Sequence, residues 1–185
     1  MKEDITYRIV HRNEIEQYHK LRLCCLKDFP QNFGTLYEDQ LESSNFKFDK
    51  VILQNNNTDF LMGAFKKEKL IGICGFIHEK RTKNSHLGEV SSMYVSPRYS
   101  GMKIGQTLLL NTIKLAFDNI EILEQIKIAV VERNKAALYM YTKIGFVEYG
   151  RFQDYFKYGE NYETLIYMKF KKYQSEIFPS FPTGT

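Results

Sequence analysis

The chain has 185 residues, 43% of them hydrophobic and 26% charged, with a formal net charge of +4 at pH 7. These values are typical of a single soluble globular domain with a sizeable core. No apolar run approaches the ~20 residues that a membrane-spanning helix needs, and no cluster of lysine and arginine marks a nucleic-acid surface. Neither a membrane nor a nucleic acid is therefore expected as a partner.

The N-terminal sequence and the cysteines indicate the compartment. The stretch MKEDITYRIVHRNEIE is charged and has no apolar signal core, so a cytoplasmic location is expected. Cys24, Cys25 and Cys74 are odd in number and two are adjacent, which does not fit a disulfide framework. No metal-ligand spacing occurs among the histidines and cysteines, so no metal site is predicted.

The first half of the chain alternates between strand and helix patterns. Residues 5–10, ITYRIV, alternate like a short strand. A helix is predicted next, from the spacing of Ile15, Tyr18, Leu21 or Arg22, and Cys25. It ends near Pro30, because the residue before a proline avoids the helical conformation. The remaining elements of this half are a second helix within 35–46, two antiparallel strands within 59–80 and a strand over 86–95.

The second half predicts a helix from Ile104 to Asn119, a strand over 125–132, a short helix that stops at Gly145 and a closing hairpin over 146–170. The unit from Glu89 to Val131 is a crossover that joins parallel strands, whereas the hairpins predict antiparallel neighbours. The fold class is α/β (α+β), with a mixed, mostly antiparallel twisted sheet of about seven strands, a central parallel strand–helix–strand unit and about four helices. Residues 1–170 are predicted to form the domain, and residues 171–185 a flexible tail.

One turn combines features of an anion site. In VSPRYSGMKIGQTLLL, residues 95–110, Gly101 and Gly105 allow the backbone to approach a ligand closely. The first N–H groups of the following helix have no partners inside it and carry partial positive charge. Arg98 and Lys103 can add full charges. Two glycines are a weak signal, so a turn without a ligand is the alternative.

A second segment gives this turn a more definite interpretation. NKAALYMYTKIGF, residues 134–146, has the form N-x-x-A-x-x-x-Y-x-K-x-G-F, and V-x-P-x-x-x-G-x-x-I-G-x-x-L-L lies upstream of it. Together the two motifs resemble the GNAT superfamily of acetyl-CoA-dependent N-acetyltransferases. The order of strands and helices is also similar to that family. The sequence departs from the family's glycine motif at Ser100, where arginine or glutamine is usual, and at Lys103, where glycine is usual.

The resemblance implies acetyl-CoA (coenzyme A) as the cofactor. Its pyrophosphate is expected on the N–H groups at the start of the helix, and its pantetheine arm beside the strand SSMYV. Asn134 is expected to reach that arm, and a pure helix cap is the alternative. The residues predicted to bind the cofactor are Met93, Tyr94, Val95, Ser100, Gly101, Met102, Lys103, Ile104, Gly105, Gln106, Asn134 and Ala137.

Two side chains are predicted to be catalytic. Tyr141 occupies the position at which the family places a proton donor to the leaving thiolate, and core packing on an apolar helix face is the alternative. Glu89, on the strand before the turn, is the candidate base: if its carboxylate is partly buried, its pKa rises toward neutrality and suits proton removal. A solvent-facing carboxylate is the alternative there, and a chain of waters is another possible base. His78 and His86 are weaker candidates.

The resemblance also implies where the acceptor binds. Acceptor pockets of the family are lined by the first helices and the last hairpin, which here carry many aromatic residues, among them Phe29, Phe33, Tyr37 and Tyr155. Possible anchors for an amine are Glu38, Asp39 and Asp154. These residues predict a pocket for a primary amine of a small molecule or peptide. Core packing or the surface of a homodimer is the alternative role of the aromatic residues, and both a monomer and a homodimer remain open.

The function that follows is N-acetyl transfer from acetyl-CoA to a primary amine, by direct attack in a ternary complex. A different class of protein is the competing hypothesis: a non-catalytic acyl-CoA-binding sensor or assembly module with the same fold. The altered glycine motif, at Ser100 and Lys103, keeps that hypothesis open.

Overall fold

The computed structural model describes residues 5–54 and 56–172. Its strands are β1 (Ile5–Ile9), β2 (Phe60–Lys66), β3 (Lys69–His78), β4 (Leu87–Val95), β5 (Gln125–Val131), β6 (Val147–Tyr158) and β7 (Asn161–Lys171). Its α-helices are α1 (Ile15–Asp28), α2 (Tyr37–Glu42), α3 (Asp49–Gln54), α4 (Ile104–Asn119) and α5 (Lys135–Ile144). None of these helices is long and apolar enough to cross a membrane.

All seven strands form one sheet in the order β1-β2-β3-β4-β5-β7-β6. The pair β4–β5 is parallel and is joined through α4, and the other pairs are antiparallel. This arrangement confirms the predicted fold class, a mixed and mostly antiparallel sheet around a parallel strand–helix–strand unit. Parallel neighbours cannot be joined by a tight turn, so the connection from β4 to β5 is a long crossover, and it contains α4.

Each face of the sheet is covered by helices. On one face, apolar side chains of α4 and α5 pack with strand residues such as Val90 and Ile126. On the other face, α1 and α3 pack with strand residues such as Ile73 and Tyr94. Burial on both faces explains why β2 and β3 consist of almost continuous apolar and glycine runs rather than alternating patterns.

Three details of the helices differ from or refine the sequence predictions. The predicted second helix is confined to α2, and α3 is an additional helix of six residues. Such a short helix leaves little periodic signal, and its first residue, Asp49, accepts a hydrogen bond from the N–H of Phe46 (3.0 Å). Of the two positions that the spacing in α1 left open, Arg22 is buried and Leu21 is half-buried.

The predicted ends of α5 and of the domain can be compared with the structure. Gly145 caps α5 in the left-handed conformation (φ 108°), and its N–H donates to the carbonyl groups of Tyr141 and Thr142. β7 continues to Lys171, and the N–H of Lys172 donates to the carbonyl of Glu124 (2.8 Å). The rest of the predicted tail, residues 173–185, lies outside the described residues.

An irregularity in β4 sets up the centre of the molecule. The register between β3 and β4 shifts between Ile73 and Gly75, so β4 carries one extra residue, and Ser92 there has φ 53°. A bulge of this kind reverses which face the following side chains occupy. After it, Met93 packs with the α4–α5 side and Tyr94 with the α1–α3 side.

Candidate active site

A cavity of about 540 Å³ lies where β4 and β5 separate. It is bounded by the end of β4, the turn that follows, the start of α4, α5, and the segment between α1 and α2. Of the twelve predicted cofactor residues, Met102 is the exception, being 54% exposed and outside the lining. The other eleven line the cavity: Met93, Tyr94, Val95, Ser100, Gly101, Lys103, Ile104, Gly105, Gln106, Asn134 and Ala137.

The cavity exists because two neighbouring strands stop pairing. The parallel pairing of β4 and β5 runs only as far as Val90 and Ile128. Beyond those residues β4 still pairs with β3, and β5 still pairs with β7. One backbone edge of the segment Met93–Val95 therefore faces the opening rather than β5, and it can accept an extended ligand in the manner of an added strand.

The turn before α4 presents backbone donors to this cavity. Gly101 has φ 77° and Lys103 has φ 59°, two left-handed residues that bring the chain into the helix. The N–H groups of Ile104, Gly105 and Gln106 have no partners inside α4, because they belong to its first turn. All three residues line the cavity, so the positive end of the helix faces it.

Lys103 and Gly105 have different roles in that turn. Lys103 precedes α4, and its carbonyl accepts hydrogen bonds from the N–H (3.1 Å) and Oγ1 (3.2 Å) of Thr107. Its side chain is exposed at the rim. A Cβ atom added at Gly105 would lie 3.4 Å from Cε of Met93 and 3.7 Å from Sδ of Met140, which is ordinary contact. The fold itself thus tolerates a methyl group at Gly105, and the space it would fill belongs to the cavity.

Asn134 does what a helix cap does and also lines the cavity. Its Oδ1 accepts the N–H of Ala137 at 3.2 Å, which satisfies one free donor of α5. Capping α5 and binding the pantetheine arm are therefore compatible roles. Oδ1 accepts the capping hydrogen bond, whereas the side-chain nitrogen carries two N–H donors of its own.

Tyr141 is both a core residue and a lining residue. It is only 6% exposed, its ring lies 5.8 Å from that of Phe146, and its hydroxyl lies 3.7 Å from Sδ of Met93. Burial raises the pKa of Tyr141 well above that of a free phenol, and the nearby Cys74 thiol adds to this effect. A phenol is already protonated at neutral pH, and this shift extends the protonated range to higher pH.

Glu89 lies on the other face of the sheet from α4. It is exposed, and it stands beside Ile77 of β3 and Lys127 of β5. Because Val90 faces α4, strand alternation directs Glu89 to the opposite side, and Glu89 does not line the cavity. It lies near two tyrosines of the closing hairpin. Burial raises the pKa of Tyr149, and the charge of Glu89 raises it further. Burial is also the main cause of the raised pKa of Tyr167, to which Glu89 adds a smaller effect.

The four predicted acceptor residues divide into two groups. Phe29 and Phe33 line the cavity, whereas Tyr37 begins α2 and Tyr155 lies on β6, both outside the lining. The two regions nevertheless meet, since a Cβ atom added at Gly34 would lie 2.8 Å from the ring of Phe156.

Other lining residues are not among the predicted ones: Asn32, Pro97, Tyr99, Ala136 and Met140. Pro97 and Tyr99 lie within the turn singled out above, and Ala136 and Met140 lie within the α5 motif. Asn32 ends a three-residue 3-10 helix, Pro30–Asn32, which is too short to show a periodic pattern. Among the described residues, no group of three or more histidine, cysteine, aspartate or glutamate side chains could hold a metal ion.

Several solved structures share this architecture. One, from Streptococcus pneumoniae, is a GNAT-family acetyltransferase with 21% identity and a TM-score of 0.78, matching 91% of this chain and 99% of that one. The ribosomal-protein-alanine N-acetyltransferase of Brucella melitensis has 16% identity and a TM-score of 0.72, over 90% and 99% of the two chains. Salmonella typhimurium yncA, solved with its cofactor acetyl-CoA, has 13% identity and a TM-score of 0.75, over 90% and 93%. At these identities the likeness shows the fold alone.

The sequence itself shows the family. The model of the Acetyltransferase (GNAT) family matches residues 17–146, more than half of the chain, so the protein belongs to that family. The cofactor of this class of enzyme is acetyl-CoA, and the cavity fits it, with free helix donors at one end and a glycine where a methyl group would intrude. A search of curated proteins finds no match to this chain.

Proposed function

We propose that the protein transfers the acetyl group of acetyl-CoA to a primary amine of a small molecule or peptide, by direct attack of the amine in a ternary complex. The observation that carries the proposal is one cavity lined by the N-terminus of α4, the free edge of β4 and the buried hydroxyl-bearing Tyr141. Bound acetyl-CoA supplies an activated acetyl thioester there. The remaining requirements fall on the residues of the chain.

Backbone groups hold the cofactor in this proposal. The N–H groups of Ile104, Gly105 and Gln106 donate to the pyrophosphate, and Lys103 adds a positive charge at the rim. The edge of Met93–Val95 binds the pantetheine arm, and an N–H group there polarises the carbonyl that is attacked. Loss of one such donor typically costs about 3 kcal/mol of transition-state stabilisation.

Tyr141 supplies a proton. Its Oη is protonated at neutral pH, as in any phenol, and its neighbour Met93 is only a weak hydrogen-bond acceptor. The hydroxyl can therefore turn from Met93 to a better acceptor and donate its proton to the leaving sulfur. A thiolate left in an apolar site without a proton would be unstable, so this donor lowers the barrier.

Glu89 removes a proton from the amine. The amine must be neutral to attack, and an exposed carboxylate accepts a proton directly or through one water. Glu89 lies on the face away from α4, so the acceptor enters from that side and meets the acetyl group at the gap between β4 and β5. Proton removal and cofactor binding are thus served by opposite faces of the sheet.

The acceptor pocket lies where the α1–α2 segment meets the closing hairpin. Phe29 and Phe33 reach the cavity from one side, and Tyr37 and Tyr155 stand on the flanking elements. Tyr149 and Tyr167 lie near Glu89, and aromatic faces beside a carboxylate suit an amine that arrives as a cation and loses its proton at the site.

The test combines a binding assay with a turnover assay. Acetyl-CoA should raise the melting temperature, and thiol release should appear with at least one class in a panel of amino acids, polyamines, aminoglycosides and peptide N-termini. Absence of acetyl-CoA binding would overturn the proposal. Binding without turnover on any amine would instead support a non-catalytic acyl-CoA sensor.

A further inference from the structure

A second cavity, of about 560 Å³, lies on the α1 side of the sheet. Its walls come from α1, the start of β3, and the end of β4 with the turn that follows. Apolar groups form much of the lining, including Leu21, Leu70 and Ile71. Its volume falls within the range of small-molecule sites, roughly 300–1,000 Å³.

The charged residues around this cavity are unbalanced. Lys20, Lys69 and Arg98 line it, against a single carboxylate, Asp28. That carboxylate is already engaged, because the hydroxyl of Tyr94 donates to it at 3.0 Å. None of the salt bridges among the described residues involves any of the three cationic side chains.

Three cations around a concave, partly apolar surface favour one kind of ligand. A concave site bordered by low-dielectric walls concentrates the field of like charges, so an anion is attracted more strongly than on a flat surface. The apolar part of the lining adds affinity for a carbon skeleton. The fitting ligand is a small organic molecule with two or more carboxylate or phosphate groups.

The second cavity shares a wall with the cofactor cavity. Tyr94, Pro97 and Tyr99 line both. Pro97 and Tyr99 belong to the short 3-10 turn that leads through Ser100 to the start of α4, where the pyrophosphate is proposed to bind. A ligand that orders this turn from one side also changes the free energy of binding on the other, and such coupling is reciprocal.

We propose that the second cavity binds a small organic polyanion and that its occupation changes the affinity of the neighbouring cavity for acetyl-CoA. The first part, polyanion binding, stands without the proposed function. The second part rests on it. The two are tested by separate measurements, so that a failure of acetyl-CoA binding leaves the result for the second cavity intact.

Binding of a polyanion is tested with two probes: citrate, which carries carboxylates, and inorganic pyrophosphate, which carries phosphates. Cys24 provides the readout, because it lines the second cavity and is exposed, whereas Cys25 and Cys74 are buried. Alkylation of Cys24 by iodoacetamide should slow at least about fivefold at saturating citrate, with a saturable concentration dependence. Slowing by citrate but not pyrophosphate would identify carboxylates as the ligand chemistry, and the reverse would identify phosphates.

Two matched double variants test whether protection of Cys24 depends on the lysines of this cavity or only on the total charge of the protein. Lys20→Ala with Lys69→Ala should weaken protection about tenfold or more, as the loss of charge-assisted contacts does. Lys50→Ala with Lys83→Ala removes the same charge at exposed positions elsewhere and should leave protection unchanged. The proposal would be overturned if both double variants weakened the protection of Cys24 equally, or if citrate and pyrophosphate gave the native protein no saturable protection.

Acetyl-CoA affinity is then measured with and without citrate, and a change of threefold or more is expected. Unchanged affinity would refute the coupling. Coenzyme A and its 3′-dephospho form provide a further check. If the Lys20 and Lys69 variant lost a preference for the phosphorylated form, the cavity would hold the cofactor's own phosphate, and a separate ligand would be excluded.

Discussion

The hydroxyl of Tyr141 lies 3.7 Å from the sulfur of Met93, beside the gap that opens between β4 and β5 after Val90. Thioether sulfur is a weak acceptor, so this buried hydroxyl is paired but not strongly held. The contact depends on Ser92, because the extra residue directs Met93 toward α5. The same bulge thus places a sulfur beside the candidate acid, just past the point at which β4 stops pairing with β5.

Replacing Tyr141 with phenylalanine removes the hydroxyl that is the proposed proton donor but keeps the buried ring. We expect kcat to fall about 100-fold, within the usual range for general acid catalysis, while the Kd for acetyl-CoA changes less than about twofold. Steady-state thiol release and calorimetric titration measure the two quantities. Tyr139→Phe is the matched control, because Tyr139 lies on the same helix and is 64% exposed. Equal kcat for the Tyr141 variant and the native protein would make Tyr141 a packing residue.

Gly105→Ala should separate folding from cofactor binding. The added methyl group meets only ordinary contacts in the protein, and alanine favours a helix over glycine by up to about 1 kcal/mol. We therefore expect unchanged or higher stability to urea together with acetyl-CoA binding weakened about tenfold or more, because the methyl group occupies the cavity. Gly150→Ala, where an added Cβ meets nothing within 4 Å, is the control for both assays. Loss of stability with unaltered binding would contradict this account of Gly105.

Lys103 can be tested by two variants that differ in backbone preference. Lys103 has a left-handed backbone conformation, which costs a residue with a side chain about 1 kcal/mol. Lys103→Gly removes both the charge and this strain. Lys103→Asn also removes the charge, but it keeps a side chain of a kind that tolerates the left-handed conformation. If the charge grips the pyrophosphate, both should raise the Kd for acetyl-CoA about fivefold and flatten its salt dependence. Titrations at several salt concentrations measure this. Tighter binding by the glycine variant would show instead that Lys103 only loosens the turn.

Much of this arrangement is predictable because it follows local rules. The bounds of α4, Ile104–Asn119, follow from a glycine-rich turn and a continuous apolar stripe, and the end of α5 follows from Gly145. The hairpin of β2 and β3 follows from two apolar runs around a polar turn.

Other features are not predictable because they depend on tertiary structure. The bulge at Ser92 is one inserted residue and leaves no periodic signal, yet it decides the faces of Met93 and Tyr94. The position of Glu89 relative to the cavity depends on where β4 and β5 separate, and no pattern in either strand marks that point. Asn32 lines the cavity from a three-residue 3-10 helix, which is too short for periodicity to reveal.

Glu89→Gln tests the base on the opposite face. We expect kcat/KM for the amine to fall at least about tenfold near neutral pH, with the loss shrinking at higher pH as more of the amine becomes neutral in solution. Acetyl-CoA affinity should not change, because Glu89 does not line the cofactor cavity. Glu121→Gln, at an exposed position, is the control. A pH–rate profile identical to that of the native protein would assign proton removal to water.

Buried thiol and phenol groups predict a loss of stability in alkali. Burial raises the pKa of Cys74 to about 12, from a reference of 9.0. Above pH 9 the unfolded chain therefore loses this proton first, and the free energy of unfolding falls by about 1.4 kcal/mol per pH unit until the folded value is reached. The stabilising contribution is complete below pH 9. Urea titrations under reducing conditions should show a shallower decline for Cys74→Ala than for the native protein. Parallel curves for the Cys74 variant would contradict the assignment. Tyr18→Phe should act in the same way from pH 10, because burial raises the pKa of Tyr18 to about 12.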